Sequence, residues 1–443
     1  MKNLTEGNIY KTFFLFAVPL VLSGLLTQAY NITDTVIAGK FIGTEGLAAT
    51  GATSALVTLF SAVFWGYITA FAIYAATIFG AREYVRLKRC IFSNLIIISL
   101  VIIFFSLIIV LFKNQIFDFL RLDESIRDSA AIYFVIYMGG IIFILLNHFG
   151  LSVMNALGAS SYPFFMSIVS MILNICGNIF TIVVLKWGAA GIAFSSVLSA
   201  LVVDACYFFK LKRCFSELGC DSEKTGFSAK TVKKTLPYSI PGMFQQITMY
   251  LPALIVAPFV NGIGGYATAA YTVVMRIFNI NAAIYQNASK TLSNHSAQCV
   301  GAGKRTRLMH GLWAGLIQGV LFTLPAIMVC VLLPRQICAL FFKKGHSGAD
   351  FESAVVFARF YLPFIIFNLL NNLFHAFYRG IRLMLPLIVF TLIGSVTNVI
   401  SSIILIKIYG MNGFYMGLVI SWVAEFIFSF IFYLSGKWKN VLP

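Results

Sequence analysis

The longest stretch without a charged side chain constrains this chain more than any other feature. Residues 129–185 contain no Asp, Glu, Lys or Arg over 57 residues. A membrane span needs about 20 apolar residues, so this stretch holds two spans, separated by the turn between Gly158 and Pro163. Similar runs recur along the chain, which is 60% hydrophobic and only 11% charged. Soluble proteins carry about 25% charged residues, so the sequence predicts a polytopic helical membrane protein.

Dividing the apolar runs at turns rich in glycine and proline predicts an all-α fold with twelve transmembrane helices. They lie at residues 12–39, 46–80, 90–112, 130–156, 163–186, 189–210, 234–260, 266–299, 308–333, 354–379, 384–408 and 413–434. The first apolar run shows no small-residue cleavage pattern and leads into further spans. It therefore reads as a membrane helix rather than a signal peptide.

Lysine and arginine are distributed unequally between the loops on the two sides of this map. One side holds 20 of them and the other holds 9. Cytoplasmic loops are rich in Lys and Arg, so we predict a multi-pass protein of the cytoplasmic (plasma) membrane with both termini in the cytoplasm. The formal net charge of +17 resides largely in these loops, so no nucleic-acid partner is expected. The eight scattered cysteines match no disulfide framework or zinc motif.

The two halves of the chain resemble each other at an offset of about 222 residues. Phe16-Ala-Val-Pro19 matches Tyr238-Ser-Ile-Pro241, and Gly80-Ala-Arg-Glu-Tyr-Val-Arg86 matches Gly301-Ala-Gly-Lys-Arg-Thr-Arg307. Six spans are thus duplicated in two six-helix bundles. Because six is an even number, both copies enter the membrane from the same side, which makes this a parallel repeat.

The repeat predicts the domain organisation and the class of protein. We expect an N-lobe at residues 1–210, a basic cytoplasmic linker at 211–233 and a C-lobe at 234–443. Two bundles around a cleft suit alternating access, so secondary transport is the predicted class. The sequence contains no Walker A motif, so neither ATP hydrolysis nor another enzyme activity is expected.

Three carboxylates lie well inside the predicted spans: Asp34, Asp204 and Glu425. A charged group at the centre of a membrane helix costs about 2.5–3.5 kcal/mol on insertion scales, which makes such acids functional candidates. Asp204 and Glu425 are 221 residues apart and are therefore repeat mates. Asp204 either pairs with the nearby Lys210 or carries a proton, and both readings stay open.

Four oxygen-bearing side chains on three predicted spans fall at similar depth in the outer half of the N-lobe: Asp34, Asn174, Asn178 and Ser195. Asn174 and Asn178 are four residues apart and share a helix face. Carboxylate, amide and hydroxyl oxygens suit a hard cation such as Na⁺, whereas a desolvated Asp34 would instead carry H⁺. The structural alternative pairs Asp34 with Lys40 and makes the asparagines interhelical hydrogen-bonding residues. No cofactor and no other metal site is predicted.

Several short segments resemble the multidrug and toxic compound extrusion (MATE) transporters. They are Pro19 with Asp34, Gly43-Thr-Glu-Gly-Leu-Ala-Ala49, Phe79-Gly-Ala-Arg-Glu83, Asn155-Ala-Leu-Gly158 before Pro163, Gly188-Ala-Ala-Gly-Ile-Ala-Phe-Ser195 and Gly301-Ala-Gly303. The resemblance implies two lobes of twelve helices in total and export of amphipathic, often cationic compounds, driven by inward flow of Na⁺ or H⁺. It matches the family's Asn-x-x-x-Asp pair to Asn174 and Asn178, where an amide replaces the second acid. Lipid and polysaccharide flippases of the wider superfamily are the main alternative.

The C-lobe offers polar side chains but few charges. We predict a polar substrate path with the candidates Gln245, Gln246, Asn368, Asn371, Asn372 and Glu425, although packing hydrogen bonds explain the amides equally well. Pro19 and Pro241 are predicted hinge points, with static kinks as the alternative. The expected partners are the lipid bilayer, small amphipathic substrates and the coupling cation, and the protein is expected to work as a monomer.

Overall fold

The part of the chain that the structure describes is almost entirely helical. The computed structural model describes residues 3–119, 122, 124–220, 226–342 and 345–441. The first half contains α1 (Ile9–Phe41), α2 (Gly43–Gly80), α3 (Tyr84–Leu111), α4 (Lys113–Phe119), α5 (Glu124–Gly139), α6 (Ile141–Ala156), α7 (Ser161–Ile179) and α8 (Ala189–Glu217). The second half contains α9 (Ala229–Asn261), α10 (Gly265–Gly301), α11 (Arg305–Leu332), α12 (Pro334–Ala339), α13 (Ala349–Val356), α14 (Ile365–Gly380), α15 (Met384–Tyr409) and α16 (Met411–Leu434). Within these ranges there is no strand, and the predicted all-α fold is confirmed.

Helix length and hydropathy mark the membrane-spanning segments. Among the described residues, ten helices are long and apolar enough to cross a bilayer, and α5 with α6 makes an eleventh span. With α10, which is 37 residues long but more polar, these segments account for the twelve predicted spans. The predicted span 130–156 is not one straight helix, because α5 and α6 meet at Gly140 with a bend of 45°. A Cβ at Gly140 would collide with Val197 of α8, so a close helix contact fixes the bend.

Two spans contain irregular helical turns that hydropathy did not predict. Beyond α7 the helix continues as a π-helical turn at Phe180–Val184. Between α13 and α14 lie a second π-helical turn, Phe357–Tyr361, and a short 3₁₀ turn, Leu362–Phe364. Insertions of this kind occur often at functional sites, and the first one directly follows the predicted asparagine pair.

The last helix of each repeat starts with the same glycine turn. Gly188 precedes α8 and Gly410 precedes α16, and both have φ 57° and ψ −133°. Glycine reaches positive φ with little steric cost because it has no Cβ. The identical geometry at matching positions follows from the internal repeat.

The helices form two compact units. Unit 1 comprises Met1–Asn3 and Leu26–Met243, whereas unit 2 comprises Leu4–Leu25 and Phe244–Pro443. The boundary after Leu25 falls inside α1 and the boundary after Met243 falls inside α9, so the compact units do not coincide with the sequence repeats. In the predicted linker, α8 continues to Glu217 and α9 begins at Ala229, while residues 221–225 lie outside the described part of the chain.

The polar helix α10 runs through unit 2 and packs against α11 and α14. Small residues spaced four apart on α11 allow the close approach. A Cβ at Gly311 would collide with the His295 ring, and one at Gly315 would lie 3.0 Å from Leu292. The polar side chains of α10 that include Asn281 and His295 are therefore buried by neighbouring helices.

Candidate functional site

The predicted cation cluster is formed by α1 and α7 in unit 1. Asn178 Nδ2 donates one hydrogen bond to Asp34 Oδ1 at 2.7 Å and another to Asn174 Oδ1 at 2.9 Å. The two asparagines lie one turn apart on α7 and are fully buried, as their shared helix face requires. The structure therefore brings together three of the four residues predicted for this cluster.

Ser195, the fourth predicted residue, has a different partner. Its Oγ lies 3.1 Å from Thr181 Oγ1. The neighbouring Ser196 occupies the place in the network instead, because its Oγ accepts a hydrogen bond from Asn174 Nδ2 at 3.2 Å and lies 3.1 Å from the Tyr30 hydroxyl. Sequence reasoning missed Tyr30 and Ser196, although Tyr30 precedes the predicted acid by four residues and so shares its helix face.

Close packing of α7 against α8 holds this geometry. A Cβ at Gly177 would lie 3.1 Å from Ser195 Oγ, and one at Gly191 would lie 2.7 Å from Thr181 Oγ1. Thr181, inside the π-helical turn, also donates to the Gly177 carbonyl oxygen at 2.8 Å. These contacts fix the rotation of α8 that directs Ser196, rather than Ser195, to the asparagines.

One oxygen in the cluster has no hydrogen-bond partner. Asn178 Oδ1 is buried and accepts no hydrogen bond within the described part of the chain, while its Nδ2 serves two acceptors. An unpaired buried polar atom costs about 1–3 kcal/mol. Together with the half-buried carboxylate of Asp34, this oxygen gives the cluster acceptors that a monovalent cation or a proton would satisfy.

The structural alternative proposed an ion pair of Asp34 with Lys40 and interhelical hydrogen bonds by the asparagines, and the structure shows only the second. Lys40 Nζ lies 5.7 Å from the centroid of the Phe41 ring, and none of the ion pairs among the described residues joins it to Asp34. The hydrogen bond from Asn174 on α7 to Ser196 on α8 is an interhelical contact of the kind that the alternative proposes. Asp34 is thus bound by an amide rather than by a lysine.

Glu425 of α16 forms the second buried carboxylate cluster, in unit 2. His375 Nε2 lies 3.5 Å from Glu425 Oε1. Asn371 Nδ2 lies 3.4 Å from Glu425 Oε2 and donates to the Trp422 carbonyl oxygen at 2.9 Å. A Cβ at Gly394 would lie 2.8 Å from Oε2, so the glycine makes room for the acid. Charge-assisted hydrogen bonds are usually about 2.7–2.9 Å long, so this carboxylate is held less tightly than Asp34.

The other candidates for a substrate path form separate hydrogen-bonded pairs. Gln245 Oε1 accepts a hydrogen bond from Arg379 at 3.1 Å. Asn372 Nδ2 donates to Asn368 Oδ1 at 2.8 Å, and Gln246 is half-buried. Each pair has the packing hydrogen bond that the alternative interpretation expects.

Asp204 differs from its repeat mate Glu425. Both carboxylate oxygens are buried, and neither has a hydrogen bond within the described residues. Lys210, the predicted ion-pair partner, instead lies 5.6 Å from the centroid of the Tyr162 ring. Asp204 therefore does not form the predicted pair.

A duplicated all-α membrane bundle with single acids buried between its helices is the architecture of a transporter. The MatE family model matches residues 19–180 and again residues 241–404. The chain belongs to the MatE family, and it is a membrane transporter rather than an enzyme. The second match of the same model, in the second half of the chain, confirms the internal repeat.

Curated relatives match at low identity over long stretches. The probable multidrug resistance protein YpnP of Bacillus subtilis is 22% identical over 447 residues, covering 99% of this chain and 97% of the relative. The probable multidrug resistance protein YoeA of the same organism is 24% identical over 357 residues, covering 77% of this chain and 76% of the relative.

Solved structures share the fold over the whole chain. An outward-facing multidrug resistance MATE family transporter of the MOP superfamily aligns with a TM-score of 0.90 at 18% identity, covering 100% of this chain and 99% of that one. A crystal structure of MATE in complex with MaL6 aligns with a TM-score of 0.88 at 18% identity and the same coverage. These likenesses establish the fold.

Proposed function

We propose that the protein is a secondary active exporter of amphipathic, often cationic drugs or toxic compounds, driven by an inward flow of Na⁺ or H⁺. Its relatives in Bacillus subtilis are named as probable multidrug resistance proteins, which favours drug export over a lipid or polysaccharide flippase. The observation that carries the coupling is the single carboxylate of Asp34 next to the unpartnered Oδ1 of Asn178.

The coupling ion would act on the hydrogen bond between α1 and α7. An ionised Asp34 accepts this bond from Asn178 Nδ2. A bound proton would turn Asp34 into a donor, and the Asn178 amide would then rotate by half a turn to present its oxygen. A bound Na⁺ would instead take oxygens from Asp34 and Asn178 directly. Either ion would replace the hydrogen bond from Asn178 Nδ2 to Asp34 Oδ1 by a different contact. Ion binding would therefore change the attachment of α1 to α7.

Alternating access would move the two lobes, 1–210 and 234–443, joined by the linker 211–233. Pro19 and Pro241 are the proposed hinges. In support, each proline lies within α1 or α9 and shortly before the residue at which that helix passes from one compact unit to the other. Proline removes a backbone hydrogen bond and weakens the helix at that point.

A transport assay tests this proposal. The purified protein is placed in liposomes, Na⁺ and pH gradients are imposed independently, and movement of a fluorescent cationic dye is followed. We expect one gradient to drive dye movement and its dissipation to stop it. Dye movement that depends on neither gradient would contradict coupling. Translocation of a labelled lipid in place of the dye would favour a flippase.

The protein is further proposed to be a monomer in the plasma membrane, with both termini in the cytoplasm. The support for the orientation is the ratio of 20 to 9 basic residues between the two sides.

Cys220 in the linker is only 2% exposed and is a poor labelling site, whereas Lys212 is exposed on the same segment. In a Cys176→Ser background, Lys212→Cys should react with an impermeant maleimide only after cells are opened. Arg335→Cys, at an exposed position on the opposite side, should react in intact cells; the reverse pattern would invert the topology.

A further inference from the structure

One face of α10 is polar and uncovered, although neighbouring helices of unit 2 bury most of this helix. Three side chains on this face are exposed and a fourth is half-buried: Arg276, Asn279, Gln286 and Lys290. At about 100° per residue, the four positions fall within an arc of about 80° around the helix axis. They therefore form one continuous polar surface, which we call the α10 stripe.

The α10 stripe lies at the depth of the hydrocarbon core. Arg276 and Lys290 are each 11 residues, or about 17 Å, from the nearer end of this 37-residue helix, and about 21 Å from each other. The hydrocarbon core is about 30 Å thick, so both cations fall inside it when α10 is centred in the bilayer. Charged side chains at this depth are costly against lipid and face the bundle interior or a water-filled cavity. The exposed stripe is therefore expected to line an aqueous path.

The ammonium group of Lys290 points toward the middle of α10. A lysine near the end of a membrane helix can extend its charged group to the membrane surface. Lys290 Nζ instead donates to Asn287 Oδ1 at 2.9 Å, and Asn287 lies three residues farther from the Gly301 end of the helix. The positive charge is thus held along the stripe and away from the nearer headgroups.

The polar groups of the stripe have few partners within the protein. Arg276, Asn279 and Gln286 make no hydrogen bond or ion pair with any described residue. The bond to Asn287 is the only one that Lys290 makes within the same ranges. An ammonium has three donors and a guanidinium has five, so most of the donors on this surface are free to bind a ligand.

A third cation lies beside Lys290. Arg379, at the end of α14, is near enough for the two positive charges to repel each other. This end of α14 packs closely on α10, because a Cβ at Gly380 would lie 2.8 Å from the Ser293 carbonyl oxygen. Arg379 NH2 donates to Gln245 Oε1 at 3.1 Å, which is a neutral partner. An anion bound by Lys290 and Arg379 would relieve their repulsion.

Unit 2 supplies no acid to balance these charges. Its four acidic residues all belong to the described part of the chain: Glu6, Asp350, Glu352 and Glu425. None of the four forms an ion pair with Arg276, Lys290 or Arg379. The acids outside the described ranges belong to unit 1 and fall between the spans predicted from the sequence: Glu45, Asp123, Asp221 and Glu223.

We propose that the α10 stripe, together with Arg379, binds an anionic group of the transported substrate. The exported compounds would then be amphipathic molecules that carry a carboxylate or another organic anion, zwitterions included. Arginine and lysine bind carboxylates through charge-assisted hydrogen bonds, and the amides of Asn279 and Gln286 add neutral donors between the two cations of the stripe. This inference rests on the proposed export function and narrows its substrate class.

Two dyes that differ in one group test the substrate class. Rhodamine B carries a free carboxylate beside its cationic ring system, whereas rhodamine B ethyl ester has the same ring system and no carboxylate. Fluorescence anisotropy measures the binding of each dye to the purified full-length protein in a neutral detergent, and liposomes report its gradient-driven movement. The test variant combines Arg276→Gln with Lys290→Gln. Lys407→Gln, which removes an exposed cation of α15 in the same unit, is the matched control.

We expect the wild-type protein and the control variant to bind rhodamine B about tenfold more tightly than the ester, because the ester cannot accept charge-assisted hydrogen bonds. The double variant should bind the two dyes within about twofold of each other. A preference for rhodamine B that persists in the double variant would overturn the assignment to the stripe. Equal binding and transport of both dyes by the wild type would overturn the inference and leave the export function standing, whereas binding of neither dye would contradict both.

Melting temperatures show whether the double variant is folded. If it melts below the wild type, Arg276→Gln alone decides, since Arg276 is exposed and has no partner in the described ranges. The preference of this single variant for rhodamine B should fall by about threefold, as expected for one solvent-exposed charge pair. An unchanged preference would overturn the inference.

Discussion

Asp34 in unit 1 and Glu425 in unit 2 are both single carboxylates beside asparagines, yet they are held differently. Asn178 donates to Asp34 at 2.7 Å. The contacts of Glu425 with His375 and Asn371 are longer, at 3.5 Å and 3.4 Å. Asp34 is thus held by one short hydrogen bond, whereas Glu425 has only longer contacts.

Only one of the two acids has an acidic mate in the other repeat, and that mate has different surroundings. The offset of about 222 residues matches Asp34 to Val256, which carries no charge. It matches Glu425 to Asp204, which has no hydrogen-bond partner among the described residues. The glycine turns occur in both copies because the backbone requires them, whereas an acid matching Asp34 does not. The duplication therefore extends to the fold, while the polar surroundings of the buried acids differ between the two halves.

The largest effect should come from Asp34→Asn. The substitution keeps size and hydrogen bonding but removes the charge, so the protein should insert normally while gradient-driven dye export falls by about 5- to 150-fold, the range of a typical coupling energy. Asp118→Asn, at an exposed acid that pairs with Arg127, is the control and should transport normally. Near-normal export by the Asp34 variant at equal expression would make Asp34 a structural residue.

Asn178→Asp should have the next largest effect, because it restores the second acid of the family's pair. Two adjacent carboxylates attract a cation more strongly, by about 1–4 kcal/mol near 4 Å. The Na⁺ concentration needed for half-maximal transport should therefore fall by at least about fivefold. If the two acids instead share a proton, the pH dependence of transport shifts upward. Unchanged dependence on both ions would place Asn178 outside the coupling site.

Glu425→Gln should change coupling much less than Asp34→Asn does. The amide retains an oxygen toward Asn371, and no hydrogen bond as short as that of Asp34 is lost, so export should stay within about threefold and stability should change by about 1 kcal/mol. Dye efflux by the Glu425→Gln and Asp34→Asn variants is measured side by side at several imposed ion gradients. Equal loss of coupling in both variants would mean that the two halves share the task.

The smallest effect should distinguish two adjacent serines. Ser196→Ala removes its contacts with Asn174 and Tyr30. Because the serine reaches Asp34 and Asn178 only through these neighbours, the apparent affinity for the coupling ion should fall by about twofold, which corresponds to about 0.4 kcal/mol. Ser195→Ala removes only the contact with Thr181 and should leave the ion dependence unchanged. If Ser195→Ala shifts the dependence of transport on ion concentration more than Ser196→Ala does, Ser195 belongs to the cluster.

Much of the fold could be predicted because lipid allows few solutions. Hydropathy located the spans, glycine and proline located the turns, and an internal offset predicted the duplication that the family model confirms. The bend at Gly140 could not be predicted, since it depends on the approach of Val197 from another helix. The same is true of the π-helical turn at Phe180–Val184, which leaves no mark on hydropathy.

The candidate site could be predicted only as far as helix periodicity reaches. Spacing placed Asn174 and Asn178 on one face, and similar depth in the membrane linked them to Asp34, one of three acids inside the spans. The choice between Ser195 and Ser196 depends on how α8 is rotated, which tertiary contacts set. A difference of one residue turns a helix side chain by about 100°, so spacing from Gly191 was too coarse a measure.

The division of α1 between the two units bears on how the protein is made. Leu4 N donates to Gln298 Oε1, and Gln318 Nε2 donates to the carbonyl oxygen of Phe13, across 294 and 305 residues of chain. At about 5–20 residues per second of synthesis, these partners leave the ribosome roughly 15–60 s after the first half of α1. During this interval residues 4–25 have to wait in the bilayer without their native neighbours. All of unit 1, which ends at Met243, is synthesised before this wait ends. Unit 2 has to recruit the first transmembrane segment to be translated, so its assembly is a late step of biogenesis.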